Sequence, residues 1–149
     1  MSAALELEPW LLAVCRSELA RGRRPLLGLN GPIGSGKSTL SRRLQQRFAD
    51  AGLKLAVASI DDAYWPWPER QRRMAGNPFA VNRVPPGSHD PQALLEPIRC
   101  WRQHAGPGPL PLRLPRFDKT LRDGDGDRIA DWEGMADVVL LEGWLVGCR

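Results

Sequence analysis

Apolar residues recur at helical spacing in three stretches of the chain and run almost unbroken in three others, with proline- and glycine-rich segments between them. Trp10, Leu11, Val14 and Leu19 make a stripe over residues 9–20; Pro9 suits a first helical turn and Gly22 a stop. Leu40, Leu44 and Phe48 mark a second helix over residues 37–50, closed by Gly52. Asp90 and Pro91 read as the N-cap and first position of a third helix, followed by Leu94, Ile98 and Trp101, with Pro97 expected to kink or restart it. The runs at 25–30, 53–60 and 137–143 are short and apolar on both faces, as in buried parallel strands. Strand, helix and strand over residues 25–60 form a βαβ unit. Residues 63–90, with Trp65-Pro66-Trp67-Pro68 and Val84-Pro85-Pro86-Gly87, predict an irregular excursion, and residues 106–115 and 118–134 predict loops. The fold class expected is α/β, a three-stranded parallel sheet flanked by helices. One domain spans residues 1–149, with a loop-rich insertion over 63–130.

Between the first strand and the helix that follows lies Gly31-Pro32-Ile33-Gly34-Ser35-Gly36-Lys37-Ser38, which satisfies G-x-x-x-x-G-K-[ST] in the required context. Glycines let the backbone wrap an oxyanion without a Cβ in the way. The loop's N–H groups and the helix N-terminus then favour phosphate. Lys37 would reach the β- and γ-phosphates and Ser38 would place its hydroxyl on Mg²⁺; Thr39 completes the ATP-binding segment. In open α/β sheets, ligands bind beyond the carboxyl ends of the strands. The second strand ends in Ser59-Ile60-Asp61-Asp62 and the third in Glu142-Gly143. Asp61 is assigned as the base that orients and deprotonates an acceptor hydroxyl, and Glu142 to the Mg²⁺ shell. Either aspartate also fits a helix cap, and Glu142 a structural acid.

The net charge of +4 suits either a solvated basic surface or attraction of anionic small molecules. Nucleic acid is not an expected partner, because aromatic and basic residues do not interleave. No apolar run approaches the roughly 20 residues that cross a bilayer. Glu6 and Glu8 interrupt any signal-like start, so a cytoplasmic protein without a membrane partner is expected. Cys15, Cys100 and Cys148 have no metal-site spacing, which fits a reducing compartment.

Five segments together resemble the phosphoribulokinase/uridine kinase group of P-loop kinases, and most of all its D-glycerate 3-kinases of plant and cyanobacterial type. They are Gly31 to Thr39, Ser59 to Tyr64, Pro86-Gly87-Ser88-His89-Asp90, Arg116-Phe117-Asp118-Lys119 with Gly126-Asp127-Arg128, and Leu141-Glu142-Gly143-Trp144. The resemblance implies transfer of the ATP γ-phosphate to a hydroxyl of a small metabolite, D-glycerate first, with uridine or pantothenate as alternatives. It implies Asp61 as base and puts the third strand between the second and the first. It also places Asp62, Tyr64, His89, Asp90, Asp118, Lys119 and Arg128 around the acceptor. Lys119 and Arg128 suit a carboxylate, though surface salt bridges would account for them too, and a turn would account for His89. Ala63 stands where the family has an aromatic residue. The family continues past the Glu-Gly-Trp segment into an arginine-bearing lid, further strands and the part that holds adenine. The sequence therefore predicts an incomplete kinase domain or, alternatively, a silent ATP-binding module acting through a partner. Its oligomeric state is not legible.

Overall fold

A computed structural model describes residues 4–84, 87–144 and 146, with side chains from Leu7 onward. The chain runs α1 (Ala4–Ala20), β1 (Leu26–Asn30), α2 (Lys37–Asp50), β2 (Leu55–Ser59), a 3-10 turn (Ile60–Ala63), α3 (Trp67–Met74), α4 (Pro91–Gln103), β3 (Leu110–Asp118), β4 (Asp127–Ala136) and β5 (Val138–Gly143). The parallel sheet has the order β1-β5-β2. This is the predicted arrangement, with the last strand in the middle.

Because successive side chains of a strand face opposite ways, β5 splits its apolar residues between two cores. Val138 and Leu140 pack with Cys15, Leu44, Phe48 and Leu55, under α1 and α2. Val139 joins Ala56, Ala58, Leu94, Ile98 and Trp101 on the other face, where α4 lies. Asp137 enters β5 by accepting from the Lys54 N–H (2.8 Å) and donating its own N–H to the Lys54 carbonyl (2.9 Å). Arg24, 3% exposed, fastens the start of β1 to the end of α4. Its guanidinium donates to the carbonyls of His104, Gly106 and Gly108. Cys15 is buried, which pushes its thiol up to about 11, while Cys100 is exposed. Cys148 and residues 147–149 lie outside the described residues.

Several expectations need correction. The loop expected at 106–115 holds only to residue 109 and that expected at 118–134 only over 119–126; the rest is the antiparallel hairpin β3-β4, paired from Leu110↔Ala136 to Asp118↔Asp127. Leu112 and Leu114 alternate inward against α4, with Arg113 and Arg116 outward. The prolines that disguise this strand are tolerated: Pro111 is exposed in a two-stranded ribbon, and Pro115 sits at the register shift between Leu114 and Arg116. Within 63–90, Pro66 and Pro68 start α3 instead of excluding a helix. α4 runs through Pro97 from its Asp90 cap, and α1 begins ahead of Pro9, which lies inside it.

At Gly126, where the hairpin turns, φ is +78° and a Cβ would collide with the Phe117 ring and sit 3.1 Å from the Asp118 carbonyl. Both the backbone and the space demand glycine. Gly126→Ala is expected to lower stability by about 2 kcal/mol, read as a fall in the thermal unfolding midpoint. An unchanged midpoint would contradict this packing.

Candidate active site

The site is assembled at the carboxyl ends of the three parallel strands. β1 leads directly into the phosphate loop at 31–38. Gly34 and Gly36 adopt left-handed φ of 78° and 84°, and Gly36 caps α2. A Cβ on Gly31 would stand 2.8 Å from Ser35 Oγ, so the loop closes on itself as tightly as its glycines permit. Lys37 Nζ donates to the carbonyls of Gly31 (2.8 Å) and Pro32 (2.7 Å), which folds the ammonium back over the loop. Pro32, Ile33, Gly34, Ser35, Ser38 and Thr39 are exposed to solvent.

The sheet register brings the first acid to the loop. Glu142 on β5 pairs with Leu29 of β1 on one side and Ser59 of β2 on the other. Its carboxylate accepts from Ser41 Oγ (2.7 Å) and lies 3.4 Å from Ser38 Oγ. A cavity of about 360 Å³ opens beside this group, lined by Ser38, Glu142, Ser59, Asp62, Arg116 and Trp132 among others. Among the described residues, no group of three or more His, Cys, Asp or Glu side chains is placed to hold a metal ion. The donors that are present, a serine hydroxyl and a carboxylate, are hard oxygens. They fit Mg²⁺, which binds one or two protein oxygens and completes its shell with phosphate and water.

Beyond β2 the two aspartates part company. Asp61 pairs with Lys119 of the hairpin, Nζ to Oδ2 at 2.6 Å, and both side chains are substantially exposed. Asp62 turns inward, where one oxygen accepts from the Phe117 N–H (3.0 Å) and the other from the Ser59 N–H (3.3 Å), with Arg116 at 3.7 Å. Burial raises its pKa, opposed by Arg116 and by those backbone bonds. Asp62 thus stitches the 3-10 turn to β3. Tyr64 is buried between two rings, His89 at 4.1 Å and Phe117 at 4.9 Å. Burial and the charge of Asp61 push its phenol upward, while Arg83 and Arg70 oppose.

His89 has a defined tautomer. Ser88 Oγ donates to the Val84 carbonyl (2.9 Å), which uses the hydroxyl's one hydrogen. At the 3.1 Å contact with Ser88, His89 Nδ1 must then be the donor. That leaves Nε2 as a lone-pair acceptor, and Nε2 is buried without a partner. Burial lowers the imidazole's pKa, opposed by Asp61.

The remaining sequence candidates are partnered within the fold, Asp90 and Asp118 locally and Arg128 across the chain. Asp90 accepts from the Ala93 N–H (3.4 Å) as the cap of α4. Asp118 accepts from the N–H and hydroxyl of Thr120 (2.8 and 2.6 Å), and these bonds hold its carboxyl below the usual range. Arg128 Nε donates to the Tyr64 carbonyl (2.6 Å).

Sequence reading passed over Arg70 and Arg83. Arg70 is wholly buried and donates to the carbonyls of Trp65 (2.9 Å), Asp125 and Gly126 (2.7 Å each). Its guanidinium also lies over Phe117 (5.1 Å) and Tyr64 (6.0 Å). Burial lowers its pKa, opposed by Asp125. The available signal was helical spacing, since Arg70 and Met74 share the buried face of α3, whereas Arg72 and Arg73 pair with Glu69 outside.

No protein-family model matches the chain. In sequence it is similar to the chloroplastic D-glycerate 3-kinase of Arabidopsis thaliana, 32% identical over 83% of this chain and 29% of that protein. It is similar also to an uncharacterized kinase of Schizosaccharomyces pombe, 30% identical over 85% of this chain and 48% of that one. Among solved structures, the D-glycerate 3-kinase of Cryptococcus neoformans superposes with a TM-score of 0.74 at 27% identity, covering 99% of this chain and 54% of that one. The chain spans about half the length of these proteins or less. Phosphate loop, central acidic strand, sheet order and these likenesses agree: the chain belongs with the P-loop small-molecule kinases.

Proposed function

We propose that this chain carries the phosphate-transfer core of a kinase that uses ATP to phosphorylate a hydroxyl of a small metabolite, D-glycerate giving 3-phosphoglycerate. One observation carries the reading. The phosphate loop, the Ser38–Glu142 pair and the Asp61–Lys119 pair follow from three neighbouring strands and share one end of the sheet. The names of the similar proteins support glycerate as the acceptor.

In this reading the loop N–H groups and Lys37 hold the triphosphate, and Ser38 and Glu142 would hold Mg²⁺, whose chemistry when bound would be to neutralise charge on the phosphates. Asp61 accepts the proton of the attacking hydroxyl. A new acceptor-oxygen-to-phosphorus bond forms as the bond from the γ-phosphorus to the bridging oxygen breaks, and ADP leaves. The ion pair with Lys119 orients the Asp61 carboxylate. Tyr64 and His89 wall the acceptor.

The test is ADP formation from Mg·ATP with D-glycerate, uridine and pantothenate offered in turn. D-glycerate is expected to stimulate ADP release at least about tenfold over the rate without acceptor. Preference for uridine or pantothenate would overturn the choice of acceptor. The same assay separates a second reading, a nucleotide-binding module without transfer of its own. Tight ATP binding with no acceptor-dependent ADP would favour it.

A further inference from the structure

Around Tyr64 most of the cations are already committed. Lys119 is paired with Asp61, Arg128 Nε with the Tyr64 carbonyl, and Arg70 with three carbonyls. Arg70 keeps one buried nitrogen, Nε, without a partner, but both of its terminal nitrogens are spent on those carbonyls, whereas in Arg83 it is a terminal nitrogen, NH1, that is buried without a hydrogen-bond partner. The chain neighbour of Arg83, Val84, accepts from Ser88 Oγ (2.9 Å), and Ser88 in turn meets His89 Nδ1 (3.1 Å), so the segment that carries Arg83 runs beside the acceptor wall, where its charge also opposes the rise in the Tyr64 phenol's pKa. A charged donor shut away from water without an acceptor is costly, and an incoming anion would relieve that cost.

The segment that carries Arg83 is held on both sides. Asn82 Nδ2 donates to the two oxygens of Asp125 (3.2 and 3.3 Å). The same carboxylate accepts from Trp67 Nε1 (3.0 Å) and Gln71 Nε2 (2.7 Å), which ties it to α3. On the other side, the Val84 carbonyl is held by Ser88 Oγ (2.9 Å). Arg83 is therefore positioned before any ligand arrives, as a binding group should be. Besides Arg70 Nε, the other buried atom without a partner in this neighbourhood is His89 Nε2, whose ring stacks on Tyr64 at 4.1 Å. The two have complementary needs: Arg83 NH1 must donate to an anion, and Nε2 must accept from a hydroxyl or N–H.

The geometry points to Arg83 as the residue that recognises a carboxylate on the acceptor, with His89 Nε2 accepting from one of its hydroxyls, so that the site selects small hydroxy acids over neutral polyols and nucleosides. This deepens the acceptor half of the kinase reading and rests on it for the identity of the site, but the anion contact is measurable without phosphate transfer.

The experiment titrates the chain with D-glycerate, glycerol and uridine in the presence of a non-hydrolysable ATP analogue. Calorimetry reads affinity and the imidazole resonances read His89. D-glycerate is expected to bind at least about tenfold more tightly than glycerol or uridine and to shift the His89 resonances. Arg83→Gln is expected to weaken D-glycerate about tenfold or more and to leave the affinity for the ATP analogue unchanged. Arg83→Lys, which keeps the charge, recovers part of the loss and covers the case in which the Gln variant fails to fold. Undiminished D-glycerate affinity in both variants, equal binding of glycerol, or no hydroxy-acid binding at all would overturn the proposal. Arg83-dependent binding of D-glycerate in a chain that transfers no phosphate would leave the anion contact standing and sink the kinase reading instead.

Discussion

Asp61→Asn is expected to slow phosphate transfer about 10²- to 10⁴-fold while ATP affinity stays within about threefold. The asymmetry follows from position. Asp61 stands beyond β2 and is engaged by Lys119 of the hairpin. The phosphate loop hangs from β1 and α2, and Lys37 is held there by the loop's own carbonyls. Asparagine keeps the shape but cannot take the acceptor's proton, so the loss belongs to the transfer step. Steady-state rates beside an equilibrium titration with ATP separate the two quantities. An unchanged rate would remove Asp61 from the role of base. A parallel loss of ATP binding would show instead that it shapes the nucleotide side.

Arg70→Ala is expected to be the most damaging single change to the fold, costing about 3–5 kcal/mol. The deletion leaves three carbonyls, those of Trp65, Asp125 and Gly126, without their donor in a buried setting. It also opens a void beneath the Tyr64 and Phe117 rings, over which the guanidinium lies. For a chain of this size the thermal midpoint should fall by about 10 °C. Arg70→Lys should recover little, because a single ammonium cannot reproduce the fork that reaches three acceptors. A midpoint within a degree or two of the unaltered chain would mean that Arg70 is not the anchor that the packing makes it.

The parts of this molecule that were legible in its sequence are those whose physics is local. The phosphate loop is one contiguous stretch in which glycine, lysine and serine must follow one another, so the residues announce the conformation. The βαβ unit and β5 were legible because buried parallel strands leave unbroken apolar runs. The hairpin was not. Leu110, Leu112 and Leu114 do alternate, but Pro111 and Pro115 hide the pattern. Only the pairing itself shows that one proline lies exposed in a ribbon and the other at a bulge. α3 was hidden in the same way by Pro66 and Pro68, which begin the helix.

The site divides along the same line. That Glu142 meets Ser38 and Ser41 depends on a register between strands more than a hundred residues apart along the chain, which only the strand-end rule anticipated. Asp90 and Asp118 show the opposite difficulty. An aspartate that caps a helix or closes a turn has the same residue signature as one that faces a ligand, and here those local bonds are made. Arg83 gave no signal because nothing in a segment rich in proline and glycine marks which arginine will have a nitrogen shut in by tertiary packing.

The most direct test follows the phosphate itself. The chain, Mg²⁺, D-glycerate and γ-labelled ATP are incubated, and the products are separated. The account predicts label in 3-phosphoglycerate, absent when Asp61 is changed to Asn. Label that stays in ATP, or that appears only as inorganic phosphate, would contradict it.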